Sequence, residues 1–389
     1  MFLIDKPYVS DFLIDTIRDH HFKIIATKTA RELIADDSLN WIAEEKALSF
    51  IKNNPQTPIY SNSENALVWI DQHRGDSELA RQIRSLKDKV TFRELIANLF
   101  PDFNFKKITL DAIHKLTPQE LPFPFVIKPA VGFFSIGVHI VKNEADWEKA
   151  KNELNTEKLK SIFPKNVLNT THFIIEDFIE GEEFAIDYYH DHQGKVVLLN
   201  MLHHLFSSAN DTSDRVYTTS KGIIENHKVR IEAFLNTIGK QLSLRNFPAH
   251  AEVRIDDNGN IIPIEINPLR FGGWCTTADL LGITLGFNLY KCFYEGNKPN
   301  WERIFKGKES KILSIIILNN NSGIAEPDIL DFDYAALADD FENPVLIREL
   351  DINTYPVFGF VFAETSLQHQ KELDEMLVSD LKKYITAKR

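Results

Sequence analysis

The stretch AHAEVRIDDNGNIIPIEINPLRFGG (249–273) constrains this chain more than any other. Ala251, Val253 and Ile255 alternate with His250, Glu252 and Arg254, and Ile262, Ile264 and Ile266 follow with the same period. That is the signature of two half-buried strands. Asn258-Gly259 between them predicts a two-residue hairpin turn. Such a turn sets Glu252 opposite Glu265 and His250 opposite Asn267. Like charges facing each other across a ladder repel. On an open face two solvated glutamates cost little; in a cleft the arrangement makes sense if a cation lies between them. Carboxylate and amide oxygens are the ligands Mg²⁺ prefers, completed by phosphate oxygens and water. Glu252, Glu265 and Asn267 are therefore candidate metal ligands, with a solvated strand edge as the alternative.

A magnesium-phosphate site needs a cradle, and PFPFVIKPAVGFFSIGVHIV (122–141) has the parts of one. A strand ending in Lys128 runs into a loop with Gly132, Ser135 and Gly137, then into another strand. Glycine allows successive backbone N–H groups to converge on one anion, and the lysine adds a point charge. An ordinary turn has the same composition, and no Gly-Lys-Ser/Thr follows, so this is not a P-loop. A third element, HFIIEDFIEGEEFAIDYY (172–189), is a strand broken at Gly181 and resumed at Glu183. A connection of that kind can offer backbone groups to an adenine edge and a carboxylate to ribose hydroxyls, although it also reads as a surface turn.

In order and spacing, these elements together resemble the ATP-grasp superfamily, over Lys89 to Gly273. The resemblance implies phosphate contacts from Lys89, in the Asp-Lys pair ahead of a helix, and from Lys128, with Ser135 and Gly137 in the glycine loop. It implies an adenine hinge at Glu176, Asp177, Phe178 and Ile179, and a ribose-binding carboxylate at Glu183. It also implies a metal set of Glu252, Glu265 and Asn267, holding Mg²⁺ (or Mn²⁺), with two ions expected. The chain departs from the family pattern twice. Phe133-Phe134 fills the middle of a loop normally rich in small residues, and Asn-Pro-Leu-Arg replaces Asn-Pro-Arg, which puts the role of Arg270 in question.

The implied fold is α/β and α+β: two lobes gripping ATP, preceded by a small Rossmann-like parallel α/β domain. Short apolar runs (FLID, FKIIAT, PIYS) alternating with helical patterns such as SENALVWIDQH support that N-terminal domain. The expected boundaries are 1–88 for it, 89–305 for the ATP-grasp region (lobes 89–175 and 176–305), and 306–389 for a C-terminal α+β segment. The implied reaction is ligation of a carboxylate to an amine. The acid attacks the γ-phosphate of ATP, giving an acyl phosphate and ADP, and the amine then displaces phosphate. Phosphoryl transfer needs positioning and charge neutralisation above all. Arg254, on the strand face of Glu252, and Arg270 are candidates for holding the carboxylate or the oxyanion. The polar stretch FSSANDTSDRVYTTS suggests a loop near the substrate, with Arg215 and Tyr217 as contacts. Carboxylation, kinase-type transfer and a catalytically silent ATP-binding regulator are the alternatives.

The remaining features narrow the partners. Net charge is −12, which argues against a general nucleic-acid surface. No run approaches the roughly 18 apolar residues of a membrane span, and the N-terminal stretch has charges where a signal core would be apolar. The two cysteines lack zinc spacing. These readings predict a cytoplasmic protein, alone or as a homodimer, whose partners are small molecules. His203 and His204 are adjacent in a strand and face opposite ways. His190 and His192 read as surface residues of the turn HDHQG, and Cys275 as a packed small side chain.

Overall fold

The computed structural model describes residues 1–117, 122–132, 137–154, 172–208, 211 and 213–388. Phe133, Phe134 and Ser135 thus lie outside the described residues. Chain contacts divide the protein into two compact units: Met1–Gly75 with Glu182–Val253 and Asn267–Arg389, and Asp76–Gly181 with Arg254–Ile266.

The first unit opens with the parallel sheet that the N-terminal alternation predicts. Strands β1 (Phe2–Leu3), β2 (Ile24–Ile25), β3 (Trp41–Ile42) and β4 (Tyr60–Ser61) lie in the order β3-β2-β1-β4, all parallel. The connecting helices start where short polar side chains satisfy orphan N–H groups: Ser10 accepts from Leu13 N and Thr27 from Ala30 N. In the helical pattern at 63–73, Ala66, Trp69 and Ile70 are buried together, as their spacing predicts.

The second unit holds a four-stranded antiparallel sheet of β5 (Phe105–Thr109), β6 (Phe125–Pro129), β7 (His139–Val141) and β8 (His172–Asp177), in the order β5-β8-β6-β7. Its core is Ile108, Ile113, Phe125, Ile127, Trp147 and Phe173. The helix Lys89–Ile96 is capped by Asp88, whose carboxylate accepts from Thr91 N at 2.9 Å.

The remaining strands are β9 (Glu182–His190), β10 (Val196–Leu205), β11 (Val216–Thr219), β12 (Phe247–Ile255), β13 (Ile261–Pro268) and β14 (Lys311–Asn319). They are followed by β15 (Ile329–Phe332), β16 (Pro344–Glu349), β17 (Val357–Ser366) and β18 (Ile385–Ala387). Eight of them form one sheet, β13-β12-β9-β10-β11-β14-β17-β16, while β15 pairs with β18.

Four local expectations are corrected. The hairpin after β12 is not a two-residue turn. Asp256 N donates to Asn260 O at 3.1 Å, Gly259 N to Asp256 O at 2.8 Å, and Gly259 has φ +81. That makes a three-residue loop ending in a left-handed glycine, reinforced by the Asp256 carboxylate accepting from Asn260 N. The register near the tip therefore shifts by one residue, and Ile262 and Ile264 are only half-buried. His190 is not on the surface. Strand β9 runs through it and buries it fully against Gly239, where an added Cβ would lie 2.0 Å from the ring. Burial lowers its pKa to about 4. The stretch LQHQKELDEMLVSDLKKYI (367–385) reads as a closing helix, but the helix spans only Lys371–Val378 before the chain turns through left-handed Leu381 into β18. Residues 122–290 read mostly as strands and turns, with helices near 144–153 and 228–243; helix Thr276–Leu285 falls outside those because Thr276 to Leu281 are all buried and no apolar stripe betrays the period.

Candidate functional site

In the second unit, the chemistry gathers on one end of helix Lys89–Ile96. Lys89 and Arg93 are one turn apart and so share a face. The Lys89 ammonium meets Glu265 Oε2 at 2.7 Å. Arg93 donates from Nε to Glu176 Oε2 at 2.7 Å and from Nη1 to the Pro263 carbonyl at 2.7 Å. Lys128 completes the cluster, with Nζ 2.7 Å from the other oxygen of Glu176. Its strand pairing sets Val126 opposite Glu176, so Lys128 reaches the glutamate along the diagonal of the β6–β8 ladder. Glu176 is 3% exposed. Burial alone would raise its pKa, but Lys128 and Arg93 overcome that and hold it down to about 2. Three cations thus converge on two carboxylates, and one guanidinium nitrogen, Arg93 Nη2, is buried with no partner.

The hinge follows directly. Asp177 Oδ2 accepts from Asn104 N at 2.7 Å. The Arg254 guanidinium donates to the Ile179 carbonyl at 2.6 Å and lies 5.3 Å from the centre of the Phe178 ring. Gly181 has φ +113, and a Cβ there would lie 2.3 Å from the Ile255 carbonyl. Only glycine fits at that point.

In the first unit, Glu183, His204 and Tyr217 form one cross-strand row, each directly opposite the next on β9, β10 and β11. His204 Nδ1 donates to Glu183 Oε1 at 2.9 Å, and Tyr217 stacks on the imidazole at 4.1 Å while its hydroxyl donates to Asp214 at 2.6 Å. A second row runs through buried Asp187. Its Oδ1 accepts from His250 Nδ1 (2.7 Å) and from Gly272 N (2.8 Å), and His250 Nε2 lies 3.9 Å from Glu252. Arg270 pairs with Glu64 at 2.9 Å and donates to the Phe271 carbonyl. The extra residue before it, Leu269, takes up a left-handed φ of 59 and is buried. Its N–H donates to Pro248 O at 2.8 Å and its carbonyl accepts from Ser61 N at 2.6 Å. The insertion is thus absorbed as a tie to β4.

Residues 121–278 match the family model of the ATP-grasp domain. The chain contains an ATP-grasp domain. That domain implies ATP binding. Alanine–anticapsin ligase of Bacillus amyloliquefaciens is 27% identical over 179 residues, covering 43% of this chain and 38% of that protein. The ligase of the same name from Bacillus subtilis is 27% identical over the same length. The match spans well under half the length of these curated relatives. The protein is a distant homologue of these carboxylate–amine ligases. Over nearly all its length the fold is that of an L-amino acid ligase from Bacillus licheniformis, with TM-score 0.66 and 16% identity over 99% of this chain and 97% of that one. Biotin carboxylase from Campylobacter jejuni gives 0.60 and 14%, over 97% and 92%. Identities this low speak for the ATP-grasp fold and not for a reaction.

Set on the ATP-grasp domain, the residues singled out in the sequence divide as follows. Lys89, Lys128, Glu176 and Glu265 come together in the second unit, with Asp177, Phe178 and Ile179 at the hinge beyond them. Gly137 has φ +74, the conformation a glycine supplies, and Ser135 lies outside the described residues. Glu183 and Tyr217 are joined through His204. Asn267 is buried at the end of β13, and Glu252 faces His250. Arg254 reaches the hinge carbonyl of Ile179. Arg215 is placed differently from the expected substrate contact. It is 1% exposed, and its guanidinium donates to the carbonyls of Ile317 and Ser379, which leaves no surface for a substrate. Cys275 is buried and its thiol is pushed up to about 11, as befits a packed side chain. Arg93, His204 and the Asp187–His250 pair escaped sequence reading. Arg93 carried a signal, its four-residue spacing from Lys89, but the others depend on strand pairing that a sequence does not print. Among the described residues, no group of three or more His, Cys, Asp or Glu gathers as a metal site, and no helix is long and apolar enough to cross a membrane.

Proposed function

We propose that the protein is an ATP-dependent carboxylate–amine ligase of the amino-acid type, releasing ADP and phosphate through an acyl phosphate. The observation that carries the proposal is the cluster of Lys89, Arg93 and Lys128 around Glu265 and the buried Glu176. Lys128, Glu176 and Glu265 lie within the matched ATP-grasp region, which implies ATP binding and is distantly related to carboxylate–amine ligases. Lys89 and Lys128 bind phosphate oxygens, and Glu176 and Arg93 hold Lys128 in place. The hinge at Asp177, Phe178 and Ile179 takes the adenine, and Glu183 takes the ribose hydroxyls. Arg270, anchored by Glu64, faces the reacting carboxylate.

Glu252, Glu265 and Asn267 are the donors that would hold Mg²⁺. The set fits: two carboxylates and an amide suit a hard cation, and Glu265 already pairs with a cation, the Lys89 ammonium, at 2.7 Å. When bound, the ion supplies charge neutralisation on the outer phosphates. The side chains do the rest. The lysines orient the γ-phosphate for in-line attack by the acid, and their charge offsets that of the leaving ADP.

Two measurements test this. With an acid labelled by oxygen-18 in its carboxylate, one label is expected in the released inorganic phosphate once the amine attacks. The acid and amine are found by screening amino-acid pools for ADP release. Recovery of AMP, or retention of all label in the organic product, rules out the acyl phosphate. Independently, Mg-ATP at a hundredfold excess over Kd is expected to stabilise the fold by about 2.7 kcal/mol, and Lys128→Ala to weaken that effect. An unchanged melting temperature in saturating Mg-ATP would count against the whole nucleotide assignment.

A further inference from the structure

We infer that His204 is the positioning residue that fixes Glu183 for the nucleotide sugar, and so sets the preference of this protein for ribose over deoxyribose. The inference rests on the proposed ribose role of Glu183. Its grounds are geometric. Glu183 and His204 are directly opposed on β9 and β10, and Nδ1–H donates to Glu183 Oε1 at 2.9 Å. The imidazole has little freedom to leave that contact. Tyr217, the residue opposite it on β11, stacks at 4.1 Å and 14°, and Phe206 packs at 4.1 Å on a tilt. At the far end of the ring, Nε2 faces the Ser213 carbonyl at 3.2 Å and the Asp214 carboxylate at 3.9 Å. The His204 side chain is 3% exposed and that of Glu183 12%.

A carboxylate has about four lone-pair sites. The N–H of His204 orients the plane of the Glu183 carboxylate toward a pair of vicinal hydroxyls. A glutamate rotating freely at the start of a strand would lose rotamer entropy on every binding event. One clamped beforehand does not, and the hydroxyls it recognises are then worth their full hydrogen-bond energy. The clamp is built from three consecutive strands, so it is as rigid as the sheet.

The test uses the full chain with Mg²⁺ and two probes, ADP and 2′-deoxy-ADP, and measures dissociation constants by calorimetry, so no acid or amine need be known. Wild type is expected to prefer ADP by about tenfold or more, the size of one hydrogen bond to a charged group. Glu183→Ala and His204→Ala should each bring the ratio close to one, and the double variant should go no further. His204→Asn, whose amide can donate in place of Nδ1–H, should recover most of the preference. The ratio is internal to each variant, so a smaller folded fraction does not disturb it. Three results overturn the inference: His204→Ala keeping the wild-type ratio, the double variant losing more discrimination than Glu183→Ala, or His204→Asn behaving as His204→Ala does. A wild-type ratio near one would instead remove the ribose role of Glu183 itself, and the inference with it.

Discussion

Glu265→Gln is expected to lower ADP release by more than about 100-fold while leaving the melting temperature close to that of the wild type. Loss of a group that merely supports a metal ligand costs roughly 10–100-fold in affinity or activity. On the proposed role of Glu265 as a metal ligand, replacing it with loss of its charge should exceed that range. The amide keeps the shape and one acceptor oxygen, so the loss isolates the charge. Stability should change by about 1 kcal/mol or less. The Lys89–Glu265 pair sits partly exposed, with side-chain exposures of 11% and 21%, and ion pairs that solvent can reach contribute little. The measurement is turnover against Mg²⁺ concentration with the acid and amine found in the pooled screen. Near-normal turnover with unchanged magnesium dependence would show that Glu265 holds no metal.

Glu176→Gln should behave in the opposite way, costing about 3–5 kcal/mol of stability, because it strands two buried cations without a counter-charge. Lys128 is 5% exposed and Arg93 2%, so neither can turn to water for compensation. The pH dependence follows from the depressed pKa. Folded Glu176 stays ionised down to about pH 2, whereas an ordinary glutamate titrates near 4.5. The unfolded chain therefore takes up its proton first as pH falls. The stabilisation is fully present above about pH 5 and is lost progressively down to about pH 2. Urea unfolding of wild type and variant at several pH values checks both statements. A loss below about 1 kcal/mol at neutral pH, or the same acid slope in both proteins, would mean that the cluster contributes no net stability through Glu176.

Residue type and spacing made the local placement of several charged residues legible: Lys89 opens a helix, Lys128 lies near a strand end, and Glu265 and Asn267 close an alternating run. The Asn-Gly turn was less legible. The same dipeptide serves a two-residue turn or the last two positions of a three-residue loop, and the choice fell to Asp256, whose carboxylate binds Asn260 N. Arg215 shows the converse error. An arginine in a polar stretch looks available, yet its guanidinium is held by carbonyls of Ile317 and Ser379, 102 and 164 residues away in the chain.

Periodicity by itself determined the α/β start, the strand-rich middle, Lys128 near a strand end and Glu265 in an alternating run; Lys89 and Glu183 were singled out by the resemblance to the ATP-grasp superfamily. Those properties depend on a residue and its near neighbours, through backbone preference and the side on which alternate side chains emerge. Tertiary structure alone decided which charges meet. Arg93 joins Lys128 through Glu176, and His204 joins Tyr217 to Glu183, because strands and helices far apart in sequence pack side by side. In low dielectric a paired charge is held rigidly and an unpaired one is costly, so the packing fixes the orientation of these side chains.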